Sequence, residues 1–412
     1  MSAASTGLIG EYRSLTKPQK TAIWASYLGW TLDAFDYFLM VFMLKAISQE
    51  FGTGIEDVSE ALFLTLAARP LGALVFGWLG DRFGRRPVLM VVIAAFSLLS
   101  GLSGVVGSLG QLLVIRALFG FAMGGEWGLG ASLVMETVPA RIRGPVSGLL
   151  QAGYSTGYLV ASLVYFLFFD LVGWRAMFFI GIVPALFVLF VRAHVEESPS
   201  FTARHAHIRQ GGPREGVLAV LGRHWKLALY LVVLMTGMNF LSHGTQDLYP
   251  TFLQKQHGFD THTTGTLAIV LNIGSIIGSL GFGTLSEKLG RRRTLALASV
   301  IVLPVIPLWA YSSGLVPLGF GAFLIGLSVQ GAWANIPAYL NELSPPAIRA
   351  MFPGLVYQLG NLIASRVSPL QAGIAESHGG NYGLALASVT LVTALVLVAW
   401  ISFGPEKRDE LD

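Results

Sequence analysis

Twelve predominantly apolar runs divide the chain, at approximately 21–48, 58–80, 88–107, 111–135, 146–169, 174–193, 226–251, 263–285, 294–312, 316–341, 353–375 and 382–403. Each is close to 20 residues or longer, and at about 1.5 Å per residue a helix of that length crosses a hydrocarbon core of about 30 Å. Backbone in lipid must satisfy its own hydrogen bonds, which leaves helices or a closed barrel. The runs lack the short alternating pattern of barrel strands. The expected fold is therefore an all-α membrane protein with twelve transmembrane helices. Only 12% of the residues are charged, about half the share usual in a soluble domain.

Lys and Arg collect in alternate loops: DRFGRRP (81–87), PARIRG (139–144), the stretch 192–226, EKLGRRR (287–293), Arg349 and both tails. The intervening loops, such as 48–59, carry almost none. The positive-inside rule then places both termini and the central linker in the cytoplasm of a multi-pass cell membrane protein. The net charge of +4 is accounted for by the bilayer and needs no nucleic acid. The chain has no cysteine, which excludes disulfides, thiolate catalysis and cysteine-ligated metals. No cleavable signal is expected, because the first apolar run is too long for one. The absence of an Asn-x-Ser/Thr sequon agrees with a prokaryotic cell membrane.

The chain also repeats itself. GWLGDRFGRRP from Gly77 and GTLSEKLGRRR from Gly283 align Asp81, Gly84, Arg85 and Arg86 with Glu287, Gly290, Arg291 and Arg292, all 206 residues apart. METVPARIRG from Met135 and NELSPPAIRA from Asn341 align at the same offset, half of the 412 residues. Duplicated bundles are a common transporter plan. The expected organisation is two pseudo-symmetric six-helix bundles, residues 1–193 and 224–412, joined by a polar cytoplasmic linker at 194–223.

Charge at mid-bilayer is costly unless it faces the bundle interior, a partner or water. Asp33 and Asp36 fall about 18–22 Å along the first span, and Arg116 of the fourth falls at a similar level, so either acid can pair with it. Arg69 and Arg366 lie near the middle of the second and eleventh spans, and Glu126 in the inner half of the fourth. Two fixed cations beside a polar cavity attract an anion, and the planar guanidinium fork suits a carboxylate. Asp33, Asp36, Glu126 and Asp247 are candidate proton carriers, because burial and a nearby Arg push a carboxyl pKa in opposite directions. Structural pairing is the competing reading for each of these charges.

The stretch NFLSHGTQDLYPTF (239–252) carries Asn239, Ser242, His243, Gln246 and Asp247. On a helix they form one stripe about 160° wide, bordered by Tyr249. Such a stripe must face a wet cavity or a polar partner, because unsatisfied groups are costly in lipid. His243 and Asp247 are one turn apart and suited to pair. A metal site is poorly supplied, with one His and one carboxylate nearby. Hydrolytic catalysis is also disfavoured, since Ser242 and His243 point about 100° apart on the helix.

G-x3-D-R-x-G-R-R at Gly77–Arg86, its degenerate copy at Gly283–Arg292, and R-x3-G-x3-G at Arg116, Gly120 and Gly124 resemble signatures of the major facilitator superfamily. The pattern N-x-x-S-H-x-T-Q-D-x-x-x-T from Asn239 to Thr251 resembles, within it, the lactate/pyruvate:proton symporters of the sialate:proton symporter family, related to fungal lactate permeases. YLGWTLDAFDYFL (27–39) and ALFGFAMGGEWGLGASLVME (117–136) are similar to that group too.

The resemblance implies proton-coupled symport of a small monocarboxylate by rocking of the two halves, without cofactor or enzymatic chemistry, in a protein that works as a monomer. Sialic acid or a dicarboxylate is the alternative cargo, and the residues leave sodium open as the coupling ion. By the same resemblance Arg69 recognises the anion, while Asn239, His243, Gln246 and Asp247 line its path. Ser242, Gln358, Asn361, Tyr154 and Ser155 are further substrate candidates. Asp33, Asp36, Glu126, Asp247 and Arg116 are the proton-coupling candidates. Asp81 and Arg85, with their repeat counterparts Glu287 and Arg291, are the gating candidates.

Overall fold

The computed structural model describes residues 8–182, 186, 188–190, 195–197, 201, 202, 206 and 216–406. Among them, helices account for nearly all regular structure. The membrane-crossing elements are α1 (Lys17–Phe51), α2 (Ile55–Phe83), α3 (Arg85–Ser103), α4 (Leu109–Met123) with α5 (Glu126–Thr137), α6 (Arg143–Ile180), α7 (Trp225–Gln246) with α8 (Tyr249–Lys255), α9 (Thr261–Leu289), α10 (Arg291–Tyr311), α11 (Leu315–Trp333) with α12 (Ile336–Leu343), α13 (Phe352–Ala364) with α14 (Val367–Ser377), and α15 (Tyr382–Ser402). Ten stretches of the described residues are long and apolar enough to cross a bilayer. The two that complete twelve are the sixth, which follows Gly173 (φ 69°) inside α6 and runs into residues outside those described, and the eleventh, which is broken into α13 and α14.

The helix ends follow from the sequence. Thr16 caps α1 by accepting from the Gln19 amide at 3.4 Å while the Gln19 side chain accepts from the Thr16 amide at 2.9 Å, a reciprocal box that satisfies two orphan donors. Gly84 (φ 108°) and Gly290 (φ 93°) make the tight turns α2–α3 and α9–α10, a backbone region that strains any residue with a Cβ.

The duplication is present in the packing itself. A Cβ on Gly72 would run into the carbonyl of Phe121, and one on Gly278 into that of Leu327. Gly120 meets Thr65 in the same way, and Gly326 meets Leu271. Both pairs of contacts are displaced by 206 residues. These small residues let backbones approach closely, which is how helices associate where lipid tails remove the hydrophobic drive.

The two halves meet along two seams. α6 packs along α9, and α13 packs against α2, whereas α14 makes no comparable contact with α2. At the end of the bundle that carries the basic loops and both chain ends, the halves are fastened together. The Gly144 amide donates to Glu287 Oε1 at 2.6 Å. Ser147 Oγ donates to the Ala334 carbonyl at 2.7 Å and accepts from the Ala338 amide at 3.0 Å. Ser132 Oγ donates to the Arg349 carbonyl at 3.0 Å. This basic end is therefore closed. The expected linker 194–223 lies largely outside the described residues, and its final stretch forms a short helix, Val217–Arg223.

Candidate substrate cavity between the two bundles

Arg69 sits mid-way along α2 and is buried. Its Nη2 donates to Met123 Sδ at 2.7 Å, its guanidinium lies 5.6 Å from the centroid of the Tyr37 ring, and its Nε has no hydrogen-bond partner. Among the described residues no carboxylate is within ion-pairing distance of it. Asp33, one turn before Tyr37 on α1, is buried with one carboxylate oxygen unpartnered. The charges acting on Asp33 are Arg69 first, then Glu126 and Asp36.

Asp36 belongs to a different group. It accepts from Ser100 Oγ of α3 at 3.1 Å and is flanked by Arg116, whose guanidinium lies between the rings of Phe119 at 4.7 Å and Phe178 at 4.5 Å. The sequence leaves Arg116 free to pair with either acid. In the fold Asp33 turns towards Arg69, and Asp36 towards α3 and α4, because residues three apart on α1 face different neighbours.

On the other half, His243 Nδ1 lies 3.1 Å from Asp247 Oδ1 and 3.2 Å from Oδ2. Ser368 of α14 donates to Asp247 Oδ2 at 3.0 Å. Gln246 is buried with its Oε1 unpartnered. Asn239 turns back on its own helix to donate to the Met235 carbonyl at 2.8 Å. Ser242 is buried. Gln358 Oε1 accepts from Asn361 Nδ2 at 3.1 Å.

The expected single stripe does not reach Tyr249. α7 ends at Gln246 and α8 begins at Tyr249, since Pro250 has no N–H to donate to the Gln246 carbonyl four residues back and its ring crowds that carbonyl. Tyr249 therefore stacks on Trp309 at 5.9 Å, away from His243. Arg366 departs from expectation too. It falls in the break between α13 and α14, is exposed, and lies 4.2 Å from the Phe63 ring centroid, so it does not line the cavity beside Arg69.

Trp30, Trp127, Trp333 and Tyr357, which carry no sequence-based assignment, close the cavity towards the basic end together with the expected Tyr154. Trp30 stacks on Tyr154 at 5.5 Å, and Tyr357 is contacted by Trp127 at 4.6 Å and Trp333 at 5.5 Å. Trp127 and Trp333 are 206 apart, a signal available to anyone extending the repeat alignment. Ser155, behind Tyr154, has an unpartnered hydroxyl.

Beyond this floor, Arg85 pairs with Glu136 at 3.0 Å and lies 3.7 Å from Asp81. Arg291 pairs with Glu342 at 2.9 Å and with Glu287 at 2.7 Å. The two clusters are repeat copies of one another, and Glu136 and Glu342, unassigned from sequence, supply the short ion pair in each.

The Major Facilitator Superfamily profile matches residues 26–260, more than half of the chain, and that of the sugar (and other) transporter family matches residues 226–407. The chain belongs to the Major Facilitator Superfamily. A probable 4-methylmuconolactone transporter of Cupriavidus pinatubonensis is 32% identical, covering 96% of this chain and 93% of its own. The sialic acid transporter NanX of Escherichia coli is 28% identical, covering 95% and 96%. Among solved structures, the proton:xylose symporter XylE with bound 6-bromo-6-deoxy-D-glucose superposes with a TM-score of 0.77 at 18% identity, covering 95% of this chain and 97% of that one, a likeness of fold. As a member of this superfamily the protein is a membrane transporter and not an enzyme. In such a fold the space between the bundles is the place for cargo.

Proposed function

We propose that this protein is a proton-coupled symporter of small organic anions, monocarboxylates such as lactate or pyruvate, working by alternating access. Arg69 carries the reading. A buried guanidinium without a carboxylate in pairing distance is costly to hold. A substrate carboxylate, accepting two parallel hydrogen bonds from it, removes that cost. The relatives named for sialic acid and 4-methylmuconolactone support a small metabolite anion as cargo.

The proton is carried by the buried carboxylates, with the His243–Asp247 pair and Asp33 nearest the anion site and Asp36 and Glu126 as further candidates. Moving one proton with each monoanion transfers no net charge. The Asp81–Arg85 and Glu287–Arg291 clusters gate the basic end, which faces the cytoplasm of the cell membrane with both termini, and one chain suffices for the cycle.

A specific observation favours a larger, hydroxylated acid as the second reading. Gln151, Ser155, Gln246, Gln330, Asn335 and Asn361 each bury at least one unpartnered polar atom, more than a three-carbon acid can engage.

Purified protein in proteoliposomes should take up labelled lactate when the outside is acidified, and Arg69→Ala should remove that uptake. A competition panel of short acids, sialic acid and dicarboxylates ranks the cargo. No uptake of any monocarboxylate under that gradient sinks the proposal.

A further inference from the structure

Arg366 has no part in the cavity just described, yet its position in the bilayer demands an explanation. It lies 11 residues before Ser377, the end of α14, which at 1.5 Å per residue is about 16 Å from the far end of that helix. That is further than a side chain reaches by snorkelling. The side chain is exposed, and the guanidinium is held against Phe63 of α2 at 4.2 Å rather than reaching along the helix towards the far end. No described carboxylate is in pairing distance. An exposed cation at this depth faces water or pays heavily in lipid.

The surroundings supply the water path. α13 is packed on α2, whereas α14 makes no comparable contact with it beyond Arg366 on Phe63, which leaves the seam between the second and eleventh spans loosely filled towards the far end. Phe63 precedes Arg69 by six residues on α2, placing Arg366 about 9 Å further out than the proposed anion site. On its other side α14 presents Ser368 to Asp247, so the opening leads to the His243–Asp247 pair.

We propose that the cleft between α2 and α14 is the aqueous access path from the far end, and that Arg366 is a first anion-binding station on it. The carboxylate is drawn to Arg366 before passing inward to Arg69. This rests on the organic-anion reading above. A fixed cation in a low-dielectric cleft raises the local anion concentration and the rate of capture, and salt weakens it.

The chain has no native cysteine, so Arg366→Cys introduces a single reporter. In proteoliposomes oriented with the far end outside, it should react with a membrane-impermeant cationic methanethiosulfonate added outside, and lactate should slow that reaction. Arg366→Gln should raise the KM for labelled lactate by about 3- to 10-fold, at the low end of steering effects, with Vmax within about twofold. Arg366→Lys should stay near the wild-type KM. Wild-type KM should rise with ionic strength, and that of Arg366→Gln should rise less. Reaction of Arg366→Cys with membrane-permeant N-ethylmaleimide but not with the impermeant reagent overturns the water path. An unchanged KM in Arg366→Gln, or an equal loss of Vmax in the Gln and Lys variants, overturns the station. If wild-type protein carries no organic anion, the reading beneath falls, whereas the cysteine experiment still decides the water path.

Discussion

Tyr37 and His243 are equivalent positions in the internal repeat, 206 residues apart, and their rings meet edge to face with centroids 6.1 Å apart. The pair marks where the two bundles touch at the centre of the protein. Tyr37 also lies under the Arg69 guanidinium, and His243 in turn is paired with Asp247. One ring therefore joins the cation of the first half to the His–Asp pair of the second. That junction stands between the proposed anion and proton sites.

Replacing the ring tests this junction. A cation over a desolvated aromatic face gains about 0.5–2 kcal/mol, so Tyr37→Leu should raise the substrate KM by about 2- to 30-fold. Tyr37→Phe keeps the ring over Arg69 and should stay within about twofold in KM. It removes only the hydroxyl, so it isolates the contribution of the ring face. Uptake kinetics separate the two variants, and equal KM changes in both would count against the ring as the connecting element.

Arg291 is the better placed of the two cluster arginines for a stability measurement. It holds Glu342 at 2.9 Å with both side chains 3% exposed, and also pairs with Glu287. Arg291→Ala leaves Glu342 buried without its cation, a loss of about 3–5 kcal/mol for a broken buried pair. The expected outcome is a clear fall in the unfolding temperature in detergent. Arg291→Ala with Glu342→Leu should recover part of it, since the stranded charge is then gone.

Glu50 lies beyond the membrane-spanning part of α1. Arg175 donates to it from Nε at 3.1 Å and from Nη2 at 2.6 Å, with Trp174 Nε1 donating as well. The hydrogen bonds from Arg175, then that from Trp174, hold the Glu50 carboxyl below its ordinary range. A depressed carboxyl contributes stability above its unfolded pKa and loses it as pH falls through the folded one. Both side chains are more than a third exposed, so the contribution is at most about 1 kcal/mol. Glu50→Gln should lower the unfolding temperature slightly at neutral pH, and the difference from wild type should shrink as pH falls below the ordinary glutamate range of about 4.3 and through the depressed folded pKa.

Much of this fold was legible because lipid imposes a harsh rule on every segment, and because the chain states its plan twice. Asp81, Arg85, Glu287 and Arg291 fall at equivalent positions from alignment alone. The failures lie where helices break. Leu248, Asn335 and Arg366 stand at interruptions inside single apolar runs, and each break turns the residues after it to a new face, as for Tyr249. Nor does hydropathy reveal that Asp33 and Asp36 face different neighbours. That depends on which helices pack around α1, and glycines such as Gly153 and Gly157 of α6, where a Cβ would meet the Tyr27 and Thr31 carbonyls of α1, set this packing at particular contacts.

Gly128 and Gly354 bring α5 and α13 into close contact near the basic end: a Cβ on Gly128 would lie 2.8 Å from the Gly354 Cα, nearer than packed side chains tolerate. Ser132, one turn along α5, bonds across the same seam to Arg349. Gly128→Val should therefore wedge the basic end apart while leaving each bundle intact, because the added methyls meet the other half rather than the helix's own neighbours. Alternating access needs this end to close in every cycle. Steady-state uptake should fall by at least about tenfold, as for a population shift of 1.4 kcal/mol or more. A cysteine placed at Ser147 in the cysteine-free chain should become reactive to a water-soluble maleimide from the basic side. A reactive Ser147→Cys in the Gly128→Val background with uptake unchanged would show that this seam does not need to close tightly for transport, and an unreactive one would show that Gly128 does not hold the end shut.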